Sequence, residues 1–136
     1  MAKSSIVDRM FEKDAFSQWL GIERIQDGPG QSHLKMLIRK EMLNGFGIAH
    51  GAITYALADS ALAFASNAHG RHSVSVETSI SHLLPLKEGD SIETKVKEIS
   101  LNHRIGLYHI DLLNQDQKLV ASFKGTVYRK SEEWQV

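Results

Sequence analysis

The chain has 136 residues, a length that fits one domain, and its sixteen Lys plus Arg balance sixteen Asp plus Glu to a formal net charge of zero. Such a balance argues against nucleic acid as the main partner, because domains that bind it usually carry a basic excess; it suits an oligomer whose apolar patches are covered. There is no cysteine, which excludes disulfides, thiol catalysis and cysteine-bound metal.

The opening stretch, MAKSSIVDRMFEKDAF, mixes charged and apolar residues and lacks a signal-peptide core, so a soluble cytoplasmic protein is expected. Residues 4–20 predict one helix: Ile6, Val7, Met10 and Phe11, then Phe16, Trp19 and Leu20, recur at three- and four-residue spacing, and Gly21 stops the run. Its stripe of Phe11, Phe16 and Trp19 reads as core. Residues 22–27 and 32–40 predict two strands joined at Gly28-Pro29-Gly30, and 41–49 a glycine-containing loop. A long helix follows from about His50 to Ala68, closed by Gly70. It is apolar on most sides, which predicts burial. With Asp59 and many alanines inside it, this low-charge run is too short and too polar for a membrane span.

Four strands are predicted next, at 73–84, 91–101, 104–113 and 118–129, separated by plausible turns at Lys87-Glu88-Gly89-Asp90, Asn102-His103 and Asn114-Gln115-Asp116-Gln117. Alternation is clear in Val74/Val76/Thr78/Ile80 and in Leu119/Ala121/Phe123/Gly125/Val127, and slips between Val96 and Ile99, the sign of a bulge. No linker or repeat divides residues 1–136, so one domain is expected. One long helix with a mainly antiparallel, hairpin-connected six-stranded sheet implies the α+β class. A single helix cannot cover both faces of such a sheet, so some surface or edge is left for a second copy of the chain.

Chemistry concentrates around the long helix. Asp59 is its one full charge, and a carboxylate in apolar surroundings costs several kcal/mol unless compensated. Gly51 stands at the helix start, where N–H groups lack intrahelical partners and no side chain keeps a ligand away. Those N–H groups and the helix dipole suit a carbonyl oxygen on which negative charge develops. Asn44 and His50, from the preceding loop, suit the orienting of an attacking group or of the loop itself. Asp59 suits a general base on water or a nucleophile on an acyl carbon. Eight residues separate Gly51 from Asp59, about 12 Å along one helix. One carbonyl cannot touch both, so if both act, the site pairs the helix start of one subunit with the Asp59 of another.

The segment Asn44, Gly45 and Gly47, His50-Gly51-Ala52 and Asp59 resembles the motif of the hot-dog fold thioesterases of the phenylacetate-degradation (PaaI) type: Asn, a glycine-containing loop, His-Gly-Gly, and Asp nine residues after the His. Val74-Ser75-Val76-Glu77-Thr78 resembles the strand that follows the helix in that family, and the element order agrees over almost the whole chain. The resemblance implies a hot-dog fold, a long central helix wrapped by a six-stranded sheet. It implies hydrolysis of an acyl-CoA thioester with no metal or redox cofactor, CoA being part of the substrate. It also implies a homo-oligomer, a dimer or a tetramer built as a dimer of dimers. On this likeness Gly51 polarises the carbonyl, Asp59 acts across the dimer interface, Asn44 and His50 support the site, and Ser75 helps place water. The family's second glycine is Ala52 here. Ser75 shares parity with Ser73, Glu77 and Ser79, opposite Val74 and Val76, which by simple alternation puts it on the polar face.

Other readings stay open from the sequence. Asn44 could cap a turn, His50 could hold the loop, Gly51 could serve close packing, and Asp59 could be a hydrogen-bonded core carboxylate. His69 and His72 bracket a glycine with no carboxylate at ligand spacing, a poor zinc site. His82, His103 and His109 show no convergent pattern, and Arg71, Lys87, Arg104, Lys124 and Arg129 read as solvated charges, any of which could meet CoA phosphates. A hot-dog hydratase or dehydratase would need a His beside a carboxylate; His50 and Asp59 fall on opposite sides of one helix. A non-catalytic acyl-CoA-binding protein would have no need of Asp59.

Overall fold

A computed structural model describes residues 2–136. Two short helices, α1 (Ser5–Glu12) and α2 (Ala15–Leu20), precede strands β1 (Glu23–Gly28) and β2 (Gln31–Leu37); a 3-10 turn (Lys40–Met42) leads to helix α3 (Gly51–Asn67). Strands β3 (Arg71–His82), β4 (Ser91–Leu101), β5 (Ile105–Asn114) and β6 (Leu119–Glu133) complete the chain. All six strands form one sheet in the order β1-β2-β4-β5-β6-β3, every pair antiparallel. Helix α3 packs against all six. The architecture is the expected α+β hot-dog, a helix wrapped by a sheet.

The single helix predicted over 4–20 is two. Asp14 interrupts it as an N-cap, its Oδ1 accepting from Ser17 N–H at 3.0 Å and its Oδ2 from the Ser17 hydroxyl at 2.7 Å. An Asp that satisfies a helix-start N–H outcompetes continuation through the helix interior. The break redirects the apolar stripe. Phe11 packs against the core, edge-on to Phe64, but Phe16 and Trp19 are half-exposed and stack on each other, contrary to their reading as core. Strand β2 stops at Leu37, short of the predicted residue 40, and β6 runs on to Glu133.

Helix α3 buries Leu57, Ala58, Ala61, Leu62, Phe64 and Ala65 against the sheet, where Leu34, Ile92, Tyr108, Ile110, Phe123 and Val127 meet it. Small residues bring the two layers close. A Cβ placed on Gly125 of β6 would stand 2.6 Å from Leu62 Cδ2, so α3 rests nearly on the β6 backbone. One stripe of α3 stays open: Ala52 and Asp59 are exposed, and Tyr55, Ala56 and Ala63 half-buried, along a single helical face. None of the described helices is long and apolar enough to cross a membrane.

The far end of α3 is held by one side chain. Asn67, 3% exposed, donates through Nδ2 to the carbonyls of Ala63 (2.8 Å) and Ser73 (3.1 Å), and its Oδ1 accepts from Ser73 N–H and Trp134 Nε1–H, both at 2.9 Å. Helix end, start of β3 and C-terminal tail therefore meet on one amide. Nearby, Glu98 accepts from the buried Tyr108 hydroxyl at 2.6 Å and pairs with His69 Nε2 at 2.5 Å. Burial pushes the Glu98 carboxyl up, but the bonds from Tyr108 and His69 outweigh it and hold the pKa below the ordinary carboxylate range.

The expected bulge in β4 lies between Glu98 and Ser100. A second one, in β3 between Ser75 and Glu77, was not legible from alternation. Strand β3 forms a sheet edge whose Val74 and Val76 are 49% and 60% exposed.

Candidate active site

The loop before α3 is organised by the two polar residues the sequence singles out. Asn44 Oδ1 accepts from Phe46 N–H at 2.9 Å and Ile48 N–H at 3.4 Å, and Gly47 closes the turn at φ 78°, a backbone state open to glycine. Leu43 and Ala49 then bridge across the loop. His50 is the N-cap of α3, its Nδ1 accepting from Ala52 N–H at 3.1 Å. With one lone pair on Nδ1 so used, the neutral ring carries its proton on Nε2. Both residues therefore hold the backbone that presents Gly51, the first residue of the helix.

Gly51 opens onto a cleft of about 390 Å³, walled by Asn44, Ile48, Gly51, Thr54, His82 and Leu86 among others. The His82 ring closes one side: a Cβ on Gly51 would lie 3.1 Å from His82 Nε2. Thr54 joins the two, its hydroxyl donating to Gly51 C=O at 3.0 Å and lying 3.3 Å from His82 Nδ1. Sequence reasoning passed over His82. It stands at the far end of β3, 31 residues after Gly51, and only the β3–β6 pairing and the return of the sheet over α3 bring it to the helix start. Two other hollows, one of about 340 Å³ against β1, β2 and β4 and one of about 580 Å³ between α1 and the C-terminal tail, hold none of the five residues singled out.

Asp59 is not in this cleft. Eight residues on from Gly51, about 12 Å along the axis, it lies on the open stripe of α3 and is exposed, not the buried charge that the apolar run suggested. A helix this apolar still leaves one face uncovered when its sheet wraps only the others. Although the side chain reaches the surface, desolvation by the surrounding protein raises its pKa above the ordinary carboxylate range, and the charge of Asp14 adds to the shift.

Ser75 corrects the parity argument. Opposed residues of an antiparallel pair share a face. Ser75 opposes buried Val127, and Thr78 opposes Gly125 beneath α3, so both point to the helix side. The bulge at Val76 takes up the odd residue between them. Ser75 is exposed there, and Tyr55, one turn into α3, hydrogen-bonds the Thr78 hydroxyl. Thus one protomer unites Asn44, His50 and Gly51 at the helix start and leaves Asp59 and Ser75 apart from the cleft, on open surfaces of α3 and β3.

His69 and His72 do not converge, since His69 faces Glu98 and His72 stacks on Trp134 at 4.3 Å. Of the basic residues, Arg71, Arg104 and Arg129 gather where β3 begins and β6 ends. Arg71 bonds the His103 carbonyl, Arg104 lies over the Tyr128 ring, and Arg129 Nη1 donates to Asn102 C=O at 2.7 Å.

Residues 46–121, more than half of the chain, match the family model described as Thioesterase superfamily. The chain is 35% identical to the acyl-coenzyme A thioesterase PaaI of Escherichia coli over 88% of its own length and 86% of that protein's. A putative esterase of Archaeoglobus fulgidus is 34% identical over 97% of this chain and 88% of its own. The solved structure of the E. coli PaaI protein from the phenylacetic acid degradation operon superposes with a TM-score of 0.91 at 33% identity, covering 93% of this chain and 92% of that one. With a helix-start glycine presented by Asn44 and His50, a wrapped α3 and these relatives, the chain belongs to the thioesterase superfamily as a PaaI-like hot-dog protein.

Proposed function

We propose that this thioester hydrolase cleaves aryl- or medium-chain acyl-CoA, phenylacetyl-CoA-like esters foremost, to the free acid and CoA at a site shared by two copies of the chain. One observation carries the reading: within a protomer the Gly51 end of α3 and the Asp59 carboxylate are about 12 Å apart on one helix, and Asp59 sits on the uncovered stripe of that helix. A second copy seated on that stripe and on the free β3 edge, with Val74 and Val76 exposed, brings each Asp59 to the other's Gly51. In that arrangement the Gly51 N–H holds the thioester carbonyl oxygen, and Asp59 of the second copy takes a proton from water or attacks the acyl carbon itself. Asn44 and His50 keep the helix start in place, and Ser75, on the helix side of β3, helps position the water. The raised pKa of Asp59 fits a base that must hold a proton briefly. No cofactor enters this chemistry. The acyl-CoA class is supported by the name of the E. coli relative, and the phenylacetyl preference by the operon named for its structure. Arg71, Arg104 and Arg129, gathered where β3 begins and β6 ends, offer positive charge for CoA phosphates. Assembly continues to a tetramer as a dimer of dimers.

Thiol release from a panel of acyl-CoA esters tests the activity, with Asp59→Ala expected to fold and to lose most of kcat. Full activity in that variant sinks the mechanism. Subunit mixing tests the shared site. Asp59→Asn and Gly51→Val chains, each inactive alone, regain roughly a quarter of wild-type activity when co-refolded, because each mixed dimer holds one competent site. No recovery in verified mixed dimers means that Gly51 and Asp59 do not act across an interface.

A further inference from the structure

We propose that His82 is the group that protonates the departing sulfur, an inference that rests on the thioesterase reading above. The cleft at Gly51 is lined by ten residues, and His82 is the one among them with an ionisable side chain; the rest are apolar, hydroxyl, amide or glycine. A thioester whose carbonyl oxygen sits on the Gly51 N–H has its sulfur one bond from the carbonyl carbon, within the same few ångströms. His82 Nε2 and Cε1 lie 3.1 and 3.4 Å from where a Gly51 Cβ would stand, so the ring edge faces the place where the acyl group must lie. The absence of a side chain at Gly51 is what leaves room for that ring.

The hydrogen bonds fix which nitrogen acts. The Thr54 hydroxyl has one proton, and it goes to Gly51 C=O. Its oxygen is then an acceptor toward His82 Nδ1, 3.3 Å away, which must carry a hydrogen. That bond is the same in the neutral and the protonated ring. Nε2 alone gains and loses a proton, and it does so on the cleft side while Thr54 holds the ring. The other groups at the carbonyl serve different atoms: the Gly51 N–H stabilises oxygen, and Asp59, ionised when water attacks, accepts the proton of that water.

Water adds to the acyl carbon as its proton passes to the Asp59 carboxylate, forming the C–O bond and placing charge on the oxygen held by Gly51. When the C–S bond breaks, its electron pair leaves with sulfur. The Nε2–H bond of the His82 imidazolium breaks and an S–H bond forms. Neutral His82 then recovers a proton from solvent, and Asp59 returns its own. The sum is thioester plus water to carboxylic acid plus thiol.

Leaving-group dependence tests this, because a ring that only packs over Gly51 affects all esters alike. The same acyl group is offered as its CoA ester, whose alkyl thiolate is basic, and as its S-nitrophenyl ester, whose aryl thiolate departs without a proton. In His82→Gln, which keeps a hydrogen-bonding side chain but cannot transfer a proton, kcat on the CoA ester falls about 10²-fold, and kcat on the S-nitrophenyl ester stays near wild type. His82→Phe, a second variant of similar size, shows the same contrast. Equal losses on both esters, or no loss on either, overturn the role of His82 and leave the thioesterase reading standing. Wild-type protein that hydrolyses neither ester overturns that reading, and the role of His82 with it.

Discussion

The closeness of α3 to the sheet can be measured by adding one methyl group. In Gly125→Ala the new Cβ would sit 2.6 Å from Leu62 Cδ2 and 3.1 Å from both Leu62 Cδ1 and Phe123 Cε1. Leu62 and Phe123 are each 1% exposed, so neither has free volume to retreat into. Gly125 is outside the left-handed region, which makes the penalty steric rather than conformational. Overpacking of this kind costs about 1–3 kcal/mol. Leu62→Ala opens a cavity instead and costs about 2–5 kcal/mol. In the double variant the methyl added at position 125 projects into the emptied space, so the combined loss is smaller than the sum by about 1 kcal/mol or more. Urea unfolding at constant m-value reads all three quantities. A neutral Gly125→Ala, or strictly additive losses in the double variant, refutes the claim that the helix lies on the β6 backbone. Gly51 and Asp59 ride on this helix, so thiol release should fall in Gly125→Ala and recover in part in the double variant.

Three other perturbations follow from the site and its supports. Asp59→Asn raises the melting temperature at pH 7 while abolishing turnover. A carboxyl whose folded pKa is raised stabilises the fold below its ordinary range and loses that contribution as pH rises through the folded value, so the advantage of the amide vanishes below about pH 4. Tyr108→Phe removes one of the two donors that hold Glu98 ionised. Because the depressed Glu98 pKa contributes stability that is lost as pH falls through the folded value, acid unfolding monitored by circular dichroism begins at a higher pH in the variant. Asn67→Ala strands the Ser73 N–H, the Ser73 carbonyl and the Trp134 indole N–H together. It costs about 3–5 kcal/mol in urea unfolding, with amide exchange accelerated first at the start of β3.

Local features of the sequence read well. Alternation located the four later strands to within a few residues, and the glycine-rich loop with His50-Gly51 marked the helix start. The spacing from Gly51 to Asp59 is by itself too long for one carbonyl to touch both. Three features escaped for distinct physical reasons. Apolar spacing continues across Lys13-Asp14, so periodicity alone hid a helix break that the capping chemistry of Asp14 and Ser17 imposes. The bulge at Val76 reverses the parity of every later residue in β3, which moved Thr78 to the helix side and kept Ser75 there too. His82 is local to nothing in the sequence that hints at its place; a strand order in which β3 returns past α3 puts it beside Gly51. Exposure of Asp59 shares that origin, since an all-apolar helix pattern does not say which face the sheet leaves bare.

Strand order also dictates a timetable. Among the described residues the one strand that pairs with β3 is β6, and Val74 opposes Tyr128, a residue made about fifty positions later. On the ribosome β3 therefore emerges with no sheet to join and has to wait for the last strand of the chain. Contacts of such long sequence separation close slowly. Until β6 arrives, Val74 and Val76 stand on a strand with two open sides instead of one. Once β6 has paired, the bulge in the middle of β3 breaks the regular ladder at that spot, which makes the remaining edge a poorer template for stray chains. Truncation within β6 should thus yield aggregate rather than a loosened protein, because the strand it would leave behind was never designed to exist alone.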